Sequence, residues 1–176
     1  MKKQFSKLLL MDIAIIFCGI LLDQLTKWLA TTYLRPLQSV PLLREVLHLT
    51  YVENTGIAFG LLQDRRALFM TVSALTIVVL AFYLFSLKEK SDTLPAVAVS
   101  MILAGGIGNM IDRLYLGYVV DFIDFTLIDF AVFNTADSLV CIGAALLFLA
   151  FLIEWRKEEK RKKQHSTPTG HDEKPN

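Results

Sequence analysis

The chain has 176 residues, 54% of them hydrophobic, and a formal net charge of +1. A mean hydropathy of +0.49 is high for a soluble domain of this length, so the first expectation is a membrane protein. With charge near neutral and bases confined to the ends of apolar runs, nothing points to nucleic acid.

Taken in chain order, Lys2, Lys3 and Lys7 precede an apolar run from Leu8 to about Ala30, interrupted by Asp12 and then by Asp23 and Lys27. A basic start of this kind also resembles a cleavable signal peptide, but no A-x-A-like site follows it. Three more uncharged runs, 67–87, 93–111 and 138–153, approach the ~20 residues that cross a hydrocarbon core. The expected architecture is an all-α membrane protein with four transmembrane helices, at about 8–30, 67–87, 94–112 and 135–154. Residues 1–7, 88–92 and 155–176 hold 12 of the 18 lysines and arginines, which by the positive-inside rule puts both termini in the cytoplasm. Trp28, Tyr33, Tyr115, Tyr118 and Trp155 fit aromatic belts at the two interfaces. The membrane domain is read as residues 1–155, and 156–176 as a charged cytoplasmic tail, a fraying helix end followed by a disordered stretch.

Between the first two spans, VLHLTYVE (46–53) alternates, with Leu47, Leu49 and Tyr51 on one face, as a strand does. Asn54, Gly56 and Gly60 supply turns after it, so a small β-platform is expected at the extracytoplasmic surface. Span three ends in LAGGIGNMIDRLY. Gly105 and Gly108 allow a neighbouring helix to approach, and Asn109, Asp112 and Arg113, at i, i+3 and i+4, share one face of its last turn. Ionisable residues clustered there point to function. Asp23 and Lys27, at i and i+4, are read either as a helix-end ion pair or as part of the same site. Span four opens with FNTAD, in which Asn134 and Asp137 have the spacing of a reciprocal helix cap. Between them and span three runs VVDFIDFTLIDFAV, a loop with Asp121, Asp124 and Asp129 in an apolar background.

The chemistry available is narrow. His48 is the only histidine outside the termini, so no histidine pair for a metal can be built, and no G-x-S-x-G nucleophile elbow occurs. Cys18 and Cys141 lie inside apolar spans as small hydrophobes. What remains is aspartate. Two carboxylates held close do not both ionise easily, so one donates a proton to a carbonyl while the other activates water, and an amide is hydrolysed without metal or cofactor. Asp137 is one natural member and a residue of the 119–129 loop the other.

Five blocks, DQLTK (23–27), NTGIAF (54–59), GGIGNMIDR (105–113), VVDF (119–122) and FNTAD (133–137), resemble in content and order the lipoprotein signal peptidase (signal peptidase II) family. That resemblance covers about residues 8–155 and implies a bacterial cytoplasmic-membrane aspartic endopeptidase with catalytic Asp121 and Asp137. It implies Asn54, Asn109, Arg113 and Asn134 as positioning residues, with Asp23 and Lys27 in support. Gly56 and Asp112, in the same blocks, are grouped with them. The substrate implied is a prolipoprotein, cut before a cysteine bearing a diacylglyceryl thioether and presented from membrane lipid on the extracytoplasmic side; separately, a monomer is expected. Nothing carries over to Asp124 and Asp129, read as solvated edges of the loop. The competing reading is a small ion- or proton-coupled transporter using Asp12, Asp23 and the outer aspartates, although no internal repeat supports it.

Overall fold

A computed structural model describes residues 2–56, 66–90 and 93–165. Four long helices, α1 (Lys2–Leu29), α2 (Arg66–Lys90), α3 (Thr93–Tyr115) and α4 (Thr135–His165), are joined at one end by a three-stranded antiparallel sheet of β1 (Ser39–Leu43), β2 (Leu47–Asn54) and β3 (Val119–Asp124). Each helix contains a stretch long and apolar enough to cross a membrane, and the large side chains of α2, including Val72, Leu75, Val79 and Phe82, are exposed, as lipid-facing residues must be.

The elements end where their sequences require it. From α1 the chain continues through a π-helical turn, Ala30–Leu34, closed by the Arg35 amide on the Ala30 carbonyl at 2.9 Å. Pro36 follows, and having no N–H it cannot continue the backbone ladder. Gly117, at φ 89°, caps α3 by donating to the Asp112 carbonyl, a left-handed position that glycine occupies without strain. β1 is an edge strand, which is where its Pro41 is tolerated.

α3 is the central helix. α1 lies along it with Gly19 over Ala104, α4 returns against it with Gly143 over Ala98 and Ile102, and α2 packs through Leu84 and Leu87 on Ala96 and Val99. Because the membrane offers little hydrophobic drive between helices, these small residues matter for the van der Waals contact they permit. A second apolar cluster, Ala30, Leu34, Tyr51, Val120 and Phe122, holds the sheet on the end of α1. Burial pushes the Tyr51 phenol up to about 12.

The expected strand at 46–53 is present as β2, and Tyr51 and Leu49 do share the packed face. Two expectations need correction. Residues 119–124 form a strand paired with β2, not a loop, so Asp124 is a strand residue whose carboxylate accepts from Thr50 Oγ1 at 2.7 Å. Asp129 alone keeps the solvated turn position, exposed at φ 49°. Helix α4 continues through residues 156–165, the helix end expected after Trp155, as its Glu, Lys and Arg content favours. Gly60 and Ile57–Phe59 of the NTGIAF block lie outside the described residues, as does the tail beyond His165.

A Cβ at Gly105 would collide with the Ala136 carbonyl of α4, whereas one at Gly106 would meet only Ile77 at an ordinary 3.5 Å. Gly105→Ala is therefore expected to destabilise the bundle by about 1–3 kcal/mol, and Gly106→Ala to be neutral or to gain up to about 1 kcal/mol in helix propensity. Thermal unfolding of both variants in detergent checks the contrast.

Candidate active site

The polar residues converge where the ends of α1 and α3 and the start of α4 meet β3. Lys27, on the last turn of α1, is 3% exposed. Its ammonium lies 2.9 Å from Asp23 Oδ2 and 3.0 Å from Asp112 Oδ2, and donates to Asn109 Oδ1 at 2.8 Å. Three acceptors for three N–H groups satisfy a charge that would otherwise be very costly to bury. The spacing in α1 brings Asp23 and Lys27 onto one face, and that in α3 does the same for Asn109 and Asp112. Gly108 makes the junction possible, because a side chain there would strike the Asp23 carboxylate.

Each carboxylate of this cluster also holds a distant backbone. Asp23 Oδ1 accepts the Ala136 amide at 2.9 Å, one of the donors left over at the start of α4. Asp112 Oδ2 accepts the Val120 amide of β3 at 3.1 Å. Gln24 Nε2, which spacing alone did not single out, lies 3.0 Å from Asp112 Oδ1 and 3.2 Å from Asp23 Oδ2, with the Gly108 carbonyl at 3.3 Å. The hydroxyls of Thr26 and Thr135 meet at 2.8 Å and join α1 to α4 a second time.

Asp121 and Asp137 are the next layer. Asp137 caps α4 as its spacing suggested. Its amide donates to Asn134 Oδ1 at 2.9 Å, and its Oδ2 accepts the Asn134 amide at 3.2 Å. The same carboxylate is also bound through Oδ1 by Asn109 Nδ2 at 2.8 Å. Asn109 can do this because Lys27 claims its oxygen, which fixes which end of the amide faces Asp137. Asn134 Nδ2 bridges from Asn109 Oδ1, at 3.1 Å, to Asp121 Oδ1, at 2.6 Å. The other oxygen of Asp121 accepts from Asn54 Nδ2 at 2.8 Å, and Asn54 is held in turn by the Gly56 amide, 2.8 Å from its Oδ1. Gly56 has φ 83°, which favours glycine at this turn.

Asp121 and Asp137 are thus tied into one network through Asn109 and Asn134, on two elements that face each other. Asp121 is 1% exposed, Asp137 half-buried. Burial is the main reason the Asp121 carboxyl is pushed up to about 6. The negative charge of Asp137 adds to the rise, and the amides of Asn54 and Asn134 and the Lys27 charge oppose it. One such carboxyl keeping its proton well above the usual carboxylate range, beside another that faces two N–H donors, has the makings of an acid and a base. Arg113 stands at the rim, part-exposed, with Nη1 3.3 Å from the Asn109 carbonyl. Asp124 and Asp129 are outside the network. No group of three or more His, Cys, Asp or Glu side chains among the described residues is arranged to hold a metal ion.

Lys27→Met leaves the two carboxylates of Asp23 and Asp112 facing each other without their cation, and is expected to cost about 3–5 kcal/mol. It also frees the Asn109 amide to turn. Adding Asp23→Asn and Asp112→Asn to the same chain is expected to recover part of the stability, as thermal unfolding of the purified variants measures.

The chain is similar to proteins of one family. Residues 15–153 match the family described as signal peptidase (SPase) II. The lipoprotein signal peptidase of Caldanaerobacter subterraneus subsp. tengcongensis is 47% identical over 137 residues, 78% of this chain and 92% of that protein. The lipoprotein signal peptidase of Brevibacillus brevis is 42% identical over 138 residues, 78% of this chain and 92% of that one. Among solved structures, a bacterial membrane enzyme determined at 1.9 Å superposes with a TM-score of 0.74 at 33% identity, over 81% of this chain and 92% of its own. A second, determined at 2.3 Å, gives 0.72 at 31% identity, over 93% and 94%. With its sequence matched across the four membrane helices and the sheet, the chain belongs to the signal peptidase II family of membrane peptidases.

Proposed function

We propose that the protein is an aspartic endopeptidase that removes the signal peptide from prolipoproteins, cutting before a diacylglyceryl-modified cysteine. One observation carries the reading: Asp121 and Asp137, from β3 and from the first turn of α4, share a single asparagine network in a site otherwise sealed by the Lys27 cluster. The printed names of its relatives supply the substrate class.

The chemistry follows from the asymmetry of the pair. Asp121, more buried and pushed up to about 6, takes the proton and donates it to the oxygen of the scissile carbonyl. Asp137, at the positive end of α4 and bound by Asn109 and by the Asn134 amide, stays the base. It accepts a proton from a water molecule as that water's oxygen attacks the carbonyl carbon. The tetrahedral intermediate collapses when the proton on Asp137 passes to the amide nitrogen and the C–N bond breaks, while one hydroxyl of the intermediate returns its proton to Asp121, leaving a carboxylic acid, an amine and the pair in its starting state. Asn54, Asn109 and Asn134 keep the two carboxyls in place, Arg113 and Gly56 border the cleft, and the chemistry draws on no metal or cofactor.

The charge pattern supports a multi-pass orientation in the cytoplasmic membrane with both termini inside and the sheet end outside, where a signal peptide held in the bilayer presents its junction. A monomer suffices, since both aspartates come from one chain.

Two measurements test this. A gel-shift assay with a diacylglyceryl-modified prolipoprotein is expected to show cleavage reduced by at least about 10³-fold in Asp121→Asn and in Asp137→Asn. Asp124→Asn and Asp129→Asn retain most activity. Normal cleavage by either member of the first pair would sink the dyad.

The second concerns stability. With its pKa raised from 3.8 to about 6, Asp121 binds more proton in the folded than in the unfolded chain between those values, so folding stability falls as pH rises through that window. The effect is of the order of 3 kcal/mol. Asp121→Asn lacks the titration, so the Tm of the variant minus that of the wild type should increase from pH 4 to pH 7. A pH-independent difference would mean that Asp121 ionises freely in the folded protein.

A further inference from the structure

Helix α4 does not stop with the apolar run that ends at Ile153. It continues to His165, beyond residues 15–153, the part matched to the family. Between Glu154 and Lys163 the sequence carries six bases and three acids, all exposed. A merely solvated helix end has no reason to sort its charges by face. These are sorted.

Residues seven apart share a row on a helix, so each side of the span can be followed into its extension. On the side packed against α3, Gly143 meets Ala98 and Ile102, and Leu147 meets the Val99 and Leu103 cluster. Seven on from Leu147 is Glu154, and this side continues with Lys157, Glu158 and Arg161. Two acids face two bases there, with Lys157 paired to Glu154 at 3.3 Å. On the opposite side Ile142 and Leu149, both exposed as lipid-facing residues are, lead by the same spacing to Arg156 and Lys163, and Phe148 and Trp155 lead to Lys162. With Lys160, one turn from Arg156, the outward side holds four bases against Glu159 alone. The side that balances its charge continues the protein interface, and the side that does not continues the lipid interface.

Depth brings these bases to headgroups. At 1.5 Å per residue, Arg156 lies about 2 Å past Trp155 and Lys160 about 8 Å, while the polar layer of a leaflet is about 5–8 Å thick. Lys162, at about 10 Å, reaches back along its own stem. The rows begin on lipid, so a lipid headgroup is the anion already in place.

We propose that Arg156, Lys160 and Lys162 form a binding surface for net-anionic glycerophospholipid headgroups in the leaflet at this end of the bundle. A zwitterionic headgroup brings its own cation, which the row repels, so the surface selects headgroups with net negative charge. Helix α4, whose first turn carries Asp137, then holds anionic lipid along the outer side of its far end. The inference stands apart from the peptidase reading.

The test reconstitutes the full chain in phosphatidylcholine bilayers with a trace of spin-labelled phosphatidylglycerol or phosphatidylcholine, and measures by EPR the share of each that the protein immobilises. The wild type is expected to favour phosphatidylglycerol at least about threefold at low salt. In about 1 M NaCl, where the Debye length is about 3 Å, the preference should vanish. Arg156→Gln, Lys160→Gln and Lys162→Gln in one chain should bring it close to one. Two controls should keep most of it: Lys157→Gln with Arg161→Gln on the inner side, and Lys2→Gln, Lys3→Gln and Lys7→Gln at the start of α1. A frayed helix end can mimic a loss but not a gain, so Glu159→Gln is expected to raise the preference by about 1.5-fold or more. No preference in the wild type, its survival in the outer triple variant, an equal loss in either control, or no rise in Glu159→Gln overturns the surface.

Discussion

Burying one ammonium group organises the whole extramembrane end of this protein. Lys27 is in the last turn of a helix that reads as crossing a membrane, and a charge at that depth is tolerated only with a full set of partners. Asp23, Asp112 and Asn109 supply them. Their remaining atoms then reach the start of α4 through the Ala136 amide, β3 through the Val120 amide, and Asp137 through Asn109. A single desolvated cation thus fixes four elements relative to one another. The arrangement is over-determined in the way a site must be if two carboxyls are to be held steady.

Room for that cluster comes from what α3 omits. Gly108 leaves space for the Asp23 carboxylate and Gly105 for the Ala136 carbonyl, so α1 and α4 approach the same helix at the same level. The cap of α4 then serves two purposes. Asn134 and Asp137 satisfy each other's backbone as any reciprocal cap does, while the Asn134 side-chain amide reaches out to Asp121. Capping and positioning are met by the same pair, because the N–H groups freed at a helix start are also what a carboxylate needs.

The sheet contributes a wall with two unlike sides. The apolar side chains of β2 and β3 rest on Ala30 and Leu34, which anchors the sheet, while Asp121 reaches the asparagines. The Phe122 and Ile123 amides both donate to the Phe133 carbonyl, at 3.0 and 2.8 Å, a local irregularity that brings the approach to α4 alongside β3. That return places Asn134 within reach of Asp121.

The sequence by itself determined the four spans, because hydropathy and charge act residue by residue along the chain. It also determined which side chains share a helical face, Asp23 with Lys27 and Asn109 with Asp112, since helix periodicity is local, and it marked the cap of α4 by its spacing. Only the tertiary structure decided that VVDFID is a strand, for its partner β2 lies far away in sequence, and the Asn54 to Asp121 bond spans 67 residues. The same pairing separated Asp121 from Asp124, which look alike in an apolar background but meet asparagines in one case and Thr50 in the other. The roles of Gln24 and of the Asn109 oxygen were likewise invisible, because hydrogen-bond partners are set by which elements the fold brings together and not by composition nearby.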